Sequence, residues 1–405
     1  MNDHEQRYPG ADVRRVEIDG GDGDLSVRWS AREDVLVGGD ETGVEVELDG
    51  DTLSVTRAST RGLLGIFSNP SLRVELPDTV REARVRVRSG DVVLEQARGG
   101  IEARVDHGDL RVRGGRGELA VKLGAGDVSV DAYSGPIAVA SGAGDVGLTG
   151  VDGPLAIQSG AGDVTLRGGH GDVAIKSGRG DMVMRDRGGE HAEVKTGAGD
   201  VSITGGAIGS VAIQTGMGDV SCATVLGADD HEFTTGAGDI TVAVPRGLSA
   251  RIEATTVSGS IDSDIPLVAV GKRGPKSVLG RRLVGGIGDG AQRAEIRIRS
   301  VRGDVRLKWL DGAAAGRTAS STAWSDSPED TDVDVEVDVD MDTKMDVETG
   351  DASETVAPKS EPAPSGAGEE RAILSALAAG TISVAEAERL LDALARRGGT
   401  EAGAS

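Results

Sequence analysis

The stretch Gly126-Asp127-Val128-Ser129-Val130-Asp131-Ala132-Tyr133-Ser134-Gly135-Pro136-Ile137-Ala138-Val139-Ala140-Ser141-Gly142-Ala143-Gly144-Asp145-Val146 decides the fold. Apolar residues stand two and four places after each glycine of a nine-residue series: Val128 and Val130 after Gly126, Ile137 and Val139 after Gly135. Alternation with period two marks a half-buried β-strand. The glycines mark the bends, where positive φ or close backbone approach is needed. Working outward, the nine-residue spacing runs unbroken from Gly90 to Gly189. Every second glycine is followed by aspartate, at Asp91, Asp109, Asp127, Asp145, Asp163 and Asp181, so the full repeat is eighteen residues with two strands per rung. It loosens to nineteen or twenty residues at Asp200, Asp219 and Asp239.

Strand and tight turn alternating at fixed period predict an all-β chain coiled into a β-solenoid, each strand pairing with its equivalent one rung away. Open ends invite aggregation, so atypical flanking segments are expected to cap them. Strands are expected at 13–18, 24–29, 44–48 and 52–57 before the main run. After it, Val257-Ser258-Gly259-Ser260-Ile261 repeats the phrase of the rungs, and Ala294-Glu295-Ile296-Arg297-Ile298-Arg299 with Gly303-Asp304-Val305-Arg306-Leu307 is expected to close the solenoid. The domain reading is solenoid over 1–310, acidic disordered linker over 311–368, and helical hairpin over 369–397.

Composition agrees with thin stacked layers. Of 405 residues, 63 are glycine, and the aromatic residues are only three Trp, two Tyr and two Phe. A formal charge of −23 disfavours non-specific binding to nucleic acid or anionic lipid. Residues 311–368 hold fifteen acidic against three basic side chains, a net of −12. Cys222 is the one cysteine, which excludes an internal disulfide framework and reads as a small core residue. Met1-Asn2-Asp3-His4-Glu5 opens without a basic region and apolar run, and no stretch approaches the length of a membrane-crossing helix. A cytoplasmic protein is the expectation, with the cell surface by non-classical export as the alternative.

The column Asp91, Asp109, Asp127, Asp145, Asp163, Asp181, Asp200, Asp219 and Asp239 is the strongest chemical candidate, because some Gly/Asp-repeat solenoids hold calcium between turns. Here aspartate follows glycine directly, a register unlike the calcium repeat, so these carboxylates are expected to accept backbone N–H bonds in the turns. A companion column, Ser141, Ser159, Ser177, Thr196, Thr215 and Thr235, is expected to bond along the stack. Gly-Ala-Gly-Asp lacks the following helix that a phosphate-binding loop requires. His4, His107, His170, His191 and His231 never share metal-ligand spacing. The loop over 266–290, with Lys272, Arg273, Lys276, Arg281 and Arg282, is read as solvated rather than lipid-binding, and Leu63-Leu64-Gly65-Ile66-Phe67 as an end cap. No catalytic residue, cofactor or metal is expected.

The Pro-initiated strand running into Ser-Gly-Asp-Val at 89–92, the Ser/Thr-Gly-Ala-Gly-Asp-Val rungs and the closing Arg-Ser-Val-Arg-Gly-Asp-Val resemble the putative-adhesin family of bacterial and archaeal β-strand-repeat proteins, over roughly 10–310. That resemblance implies the β-helix-like fold and no catalytic residue.

In the tail, Asp332-Val333-Asp334-Val335-Glu336-Val337-Asp338-Val339-Asp340 alternates like a strand, but its adjacent like charges read as solvated. Ile373, Leu374 and Leu377 form one helical stripe, and Ala387, Leu390, Leu391 and Leu394 a second. Gly380 serves as cap between them, and Ser383 with Glu386 as capping box. Two short helices cannot bury enough surface alone. The hairpin is therefore read as an association module binding a protein partner or another copy through Ile373, Leu377, Leu390 and Leu394. Residues 373–391 resemble the short helical module beside this repeat in LiaX-type envelope-stress proteins, which implies an envelope-stress association. The functional expectation is a non-enzymatic scaffold or interaction protein; the rival is an exported surface adhesin.

Overall fold

The computed structural model describes residues 5–39, 44–57, 71–269, 281–288 and 294–310, and these are all-β, with no helix among them. The linker, the hairpin with Ile373, Leu377, Leu390 and Leu394, and the Leu63–Phe67 insertion lie outside the described residues.

The eighteen-residue repeat becomes one rung of two strands, and successive rungs stack in parallel. Ile137–Ala143 pairs with Leu119–Ala125 on one side and Leu155–Ala161 on the other, with Val139 lying between Val121 and Ile157. Val128–Ser134 pairs likewise with Leu110–Arg116 and Val146–Thr149 in a second stack. Each strand of one stack thus supplies the crossover that a parallel pair in the other requires. The two stacks face each other across a core of Val, Leu and Ile, including Leu94, Leu110, Val112, Leu119 and Val130 at 0% exposure. Burying each such side chain contributes about 1.5–3 kcal/mol. Register is fixed because a one-residue slip would turn this set outward.

Turn glycine is demanded twice over. Gly126 has φ 133°, and a Cβ there would collide with the Gly108 carbonyl oxygen of the preceding rung. A second bend, inside each rung, is more permissive: Gln96, Ala132 and Asp186 adopt φ 53–55° there without glycine.

Chain order and spatial order part company at both ends. Arg15–Asp22 pairs with Thr52–Arg57 on its outer side and Glu82–Ser89 on its inner side, so the first rung of the sequence is the second in space. At the other end Ala294–Arg302 lies between His231–Ala237 and Ala250–Ser258, and Val305–Trp309 lies between Ile240–Val244 and Ile261–Ser263. Residues 294–309 therefore do not close the solenoid as the sequence order suggested. They form its penultimate rung, and residues 250–263 form the last.

Antiparallel strands cover the ends. Val44–Asp49 flanks Thr52–Arg57, and Gln6–Pro9 with Asp34–Gly39 flanks Ser71–Pro77. At the far end Arg281–Ile287 pairs with Ala250–Ser258 and carries Val268–Ala269 on its other edge. The 266–290 segment, read from sequence as a solvated loop, is thus partly strand, because the outer edge of the last rung needs hydrogen-bond partners. Arg282 there pairs with Glu253 at 2.9 Å; Lys272, Arg273 and Lys276 lie outside the described residues.

Candidate interaction surface and the ladders that hold it

The aspartates of the Gly-Asp turns line one corner of the solenoid and are linked head to tail. The Asp127 carboxylate accepts the Asp145 N–H at 2.8 Å, Asp145 accepts from Asp163 at 2.9 Å, and Asp163 from Asp181 at 2.8 Å. Asp91 and Asp109 precede them in the series, and Asp200, Asp219 and Asp239 continue it. Each carboxylate thus satisfies the backbone of the next rung rather than of its own turn, where the sequence reading had placed the bond. The cause is geometric: the Gly-Asp corner repeats at the strand spacing of roughly 4.8 Å, within reach of a short side chain.

The ladder extends past the column read from the repeat. Asp24 accepts from Asp91 at 2.9 Å, and at the far end Asp304 donates its N–H to Asp239 and accepts from Ser260 N and Oγ at 2.7 and 3.0 Å. Those Ser260 bonds hold the Asp304 carboxyl below the usual range. Gly23-Asp24-Leu25 and Gly303-Asp304-Val305 carry the same signature as the other turns, so the sequence signal for both was present.

The hydroxyl column splits in two. Thr235 donates to Gly218 O of the preceding rung at 3.0 Å, bonding along the stack, and the Thr215 hydroxyl lies between Met217 O of its own strand at 3.2 Å and Gly199 O of the preceding rung at 3.3 Å. Ser300 and Thr256 continue this pattern to Gly238 O and Gly303 O. Ser141, Ser159, Ser177 and Thr196 are buried with no hydrogen-bond partner among the described residues, contrary to the expected ladder.

Three buried polar groups sit where the repeat changes. Arg187 is 2% exposed and occupies the inward position held by Ala97, Gly115, Tyr133, Val151 and Gly169 in earlier rungs. A Cβ at Gly169 before it would collide with the Val151 carbonyl, and one at Gly206 after it with the carbonyl of Arg187 itself. Its guanidinium donates to the carbonyls of Val151 (2.8 Å), Gly153 (2.9 Å), His170 (3.2 Å) and Gly168 (3.3 Å). Burial lowers its pKa, opposed by Asp152 and Asp172. Nothing in the alternation marks this residue; only alignment on the eighteen-residue register would have shown an arginine in an inward column. His231, 1% exposed, accepts the Val211 N–H at Nδ1 (3.1 Å), so its Nε2 donates to Gly227 O (3.2 Å) and the ring is neutral. Burial lowers its pKa, while the Gly227 bond, Asp229 and Asp230 raise it. Cys222 is buried and its thiol is pushed up to about 12 by burial, which keeps it in the unreactive protonated form.

What remains for recognition is the outside of the stacks. On one face Ala120, Ala138, Ala156 and Ala174 stand in register beside Lys122, Ala140, Gln158 and Lys176. On the other, Arg167 and Arg185 are in-register neighbours. Among the described residues no group of three or more His, Cys, Asp or Glu is placed to hold a metal ion. No described helix is long and apolar enough to cross a membrane.

The Toastrack DUF4097 family model matches residues 13–308, the whole of the stacked region. The chain belongs to the Toastrack DUF4097 family. No curated protein matches it. Similar solved structures include a “putative adhesin” from Bacteroides fragilis, at 14% identity over 76% of this chain and 96% of that one, TM-score 0.23. A “putative adhesin” from Parabacteroides distasonis matches at 13% identity over 76% and 97%, TM-score 0.29. A “putative lipid binding protein” from the same organism matches at 14% identity over 76% and 96%, TM-score 0.27.

Proposed function

We propose that this Toastrack protein is a non-enzymatic scaffold, a stiff rod whose outward columns meet a protein partner and whose tail brings in partners or further copies. The observation that carries this reading is the unbroken ladder from Asp24 to Ser260, which ties each turn of one corner to the next along the stack. Arg187 through both terminal nitrogens, His231 through Nδ1 and Thr235 through its hydroxyl bond backbone atoms of neighbouring rungs, a structural use. The tail's part rests on the apolar stripes Ile373/Leu377 and Leu390/Leu394, and its link to envelope stress on the resemblance of residues 373–391 alone.

Affinity capture with the full chain and with Leu390→Asp/Leu394→Asp tests it. Charge placed in that contact should abolish partner capture or self-association while the solenoid's melting transition stays put. Equal mass and equal partners for both chains would sink the association role. The rival reading, a surface adhesin, is the one for which two structural neighbours are named. Cell fractionation separates the two: a strictly cytosolic pool counts against adhesion.

A further inference from the structure

Rung 294–309 occupies its place out of chain order, and the residues around it are matched in an unusual way. Phe233 pairs with Ile298, which pairs with Ala254; Thr235 with Ser300 and then Thr256; Ile240 with Val305 and then Ile261. Each triple keeps one chemical character, apolar or hydroxyl, and the turns Gly238, Gly303 and Gly259 stack in the same column with φ 146°, 143° and 158°. Removing the middle member of every triple leaves two rungs that fit each other in the same register.

We propose that the C-terminal end of the solenoid has two registers: a chain-order one, in which rung 250–263 pairs directly with 231–244, and the interlocked one described above, in which rung 294–309 has inserted and moved 250–263 outward by one step. In the chain-order register Ser260 N–H meets the Asp239 carboxylate that now receives Asp304. Synthesis from the N-terminus completes 250–263 before 294–309 exists, so the first rung able to dock on 231–244 is the one that ends outermost.

The corner ladder sets the final order. Asp304 both gives an N–H to Asp239 and accepts from Ser260, so it relays the ladder. Ser260 gives its N–H and hydroxyl but offers no carboxylate to a further rung, so it terminates the ladder. Placing 250–263 inside and 294–309 outside would put a terminator in mid-ladder. The covering strand Arg281–Ile287 pairs on the outer side of Ala250–Ser258 and travels with it.

Glu232, Arg297 and Glu253 form one outward triple, Glu232 opposite Arg297 and Arg297 opposite Glu253. In the interlocked register Glu232 and Glu253 are two strand spacings apart, roughly 9.6 Å, beyond the roughly 7 Å Cα reach of a disulfide. In the chain-order register they are direct neighbours. The full-length Glu232→Cys/Glu253→Cys chain under mild oxidation should keep both new thiols free. Adding Ile298→Asp, a charge at a position 0% exposed, should expel the inserted rung and convert the pair to a disulfide, with loss of two titratable thiols per chain. A second arm covers a variant that fails to fold: refolding Glu232→Cys/Glu253→Cys without Ile298→Asp, under oxidant, should trap the disulfide before insertion. Thiols that stay free in the Ile298→Asp chain while the remaining solenoid melts as before overturn the proposal. So does a disulfide in the unperturbed native chain, or no trapping at any stage of refolding.

Discussion

Between Asp91 and Asp181 chain order and spatial order agree, whereas at both ends they are interchanged. At one corner the regular rungs use one turn chemistry throughout, glycine at positive φ followed by an aspartate that relays a hydrogen bond. The outermost rungs keep the stacking but change the relay residue: Ser260 stands in the aspartate column at one end and Ser71, opposite Asp24, at the other. At the Ser260 end, a rung whose turn residue donates to the ladder but offers no carboxylate onward belongs on the outside. The difference teaches that at this end the order of the last two rungs agrees with a single turn residue, and that antiparallel strands cover the edges at both ends.

The largest effect that would break the comparison is a side chain at a relay turn. Gly144 has φ 122° and faces the Gly126 carbonyl oxygen, so Gly144→Ala combines about 1–3 kcal/mol of backbone strain with about 1–3 kcal/mol for displaced neighbours. Gly150, φ 60° with nothing within 4 Å of an added Cβ, shares its bend with Ala132, and Gly150→Ala should cost about 1 kcal/mol. Denaturant unfolding of the two variants measures the gap.

Arg187→Ala comes next. It removes the guanidinium that ties carbonyls of the two preceding rungs to its own, and about 3 kcal/mol of destabilisation is expected, read from the thermal midpoint. Asp163→Ala in the regular run should cost about 1.5–3 kcal/mol, the worth of one hydrogen bond to a charged acceptor. Asp304→Ala should lower the melting point and also raise hydrogen exchange in 250–263 alone, since that rung hangs on it.

A smaller effect is acid sensitivity at the lengthened rungs. His231 has a folded-state pKa held below its ordinary 6.5, so as pH falls the unfolded chain takes up the proton first. Stability contributed by the neutral ring is full above about pH 6.5 and declines below it, by at most about 1.4 kcal/mol per pH unit. Melting points at pH 7.5 and 5.5 should therefore converge in His231→Gln, and an unchanged pH dependence would remove His231 from the account of acid lability. The smallest expected effect is none: EDTA should leave the melting point of the wild type where it is, whereas a calcium-loaded solenoid would melt markedly lower.

Much of the fold was legible because it is periodic. Val128/Val130 and Ile137/Val139 state which face is buried, and Gly126 and Gly135 state where the chain bends. The order of the last two rungs was not legible from periodicity, because 250–263 and 294–309 carry nearly the same pattern and pairing register says nothing about which lies outside. The Ser260-for-Asp exchange was in view, but its meaning depends on knowing that each carboxylate serves the next rung rather than its own turn. Arg187 was hidden for a different reason: a charged residue in an inward column contradicts the alternation unless carbonyls are turned toward it.

Amide hydrogen exchange followed by mass spectrometry on the native chain tests the interchange most directly. Protection in 294–302 should match that in 137–143 and exceed that in 250–258, because Ala294–Arg302 has a solenoid strand on each side while Ala250–Ser258 has one, with the covering strand Arg281–Ile287 beyond. Greater protection in 250–258 than in 294–302 would mean that the rungs stack in chain order and that the last residues of the solenoid lie at its end.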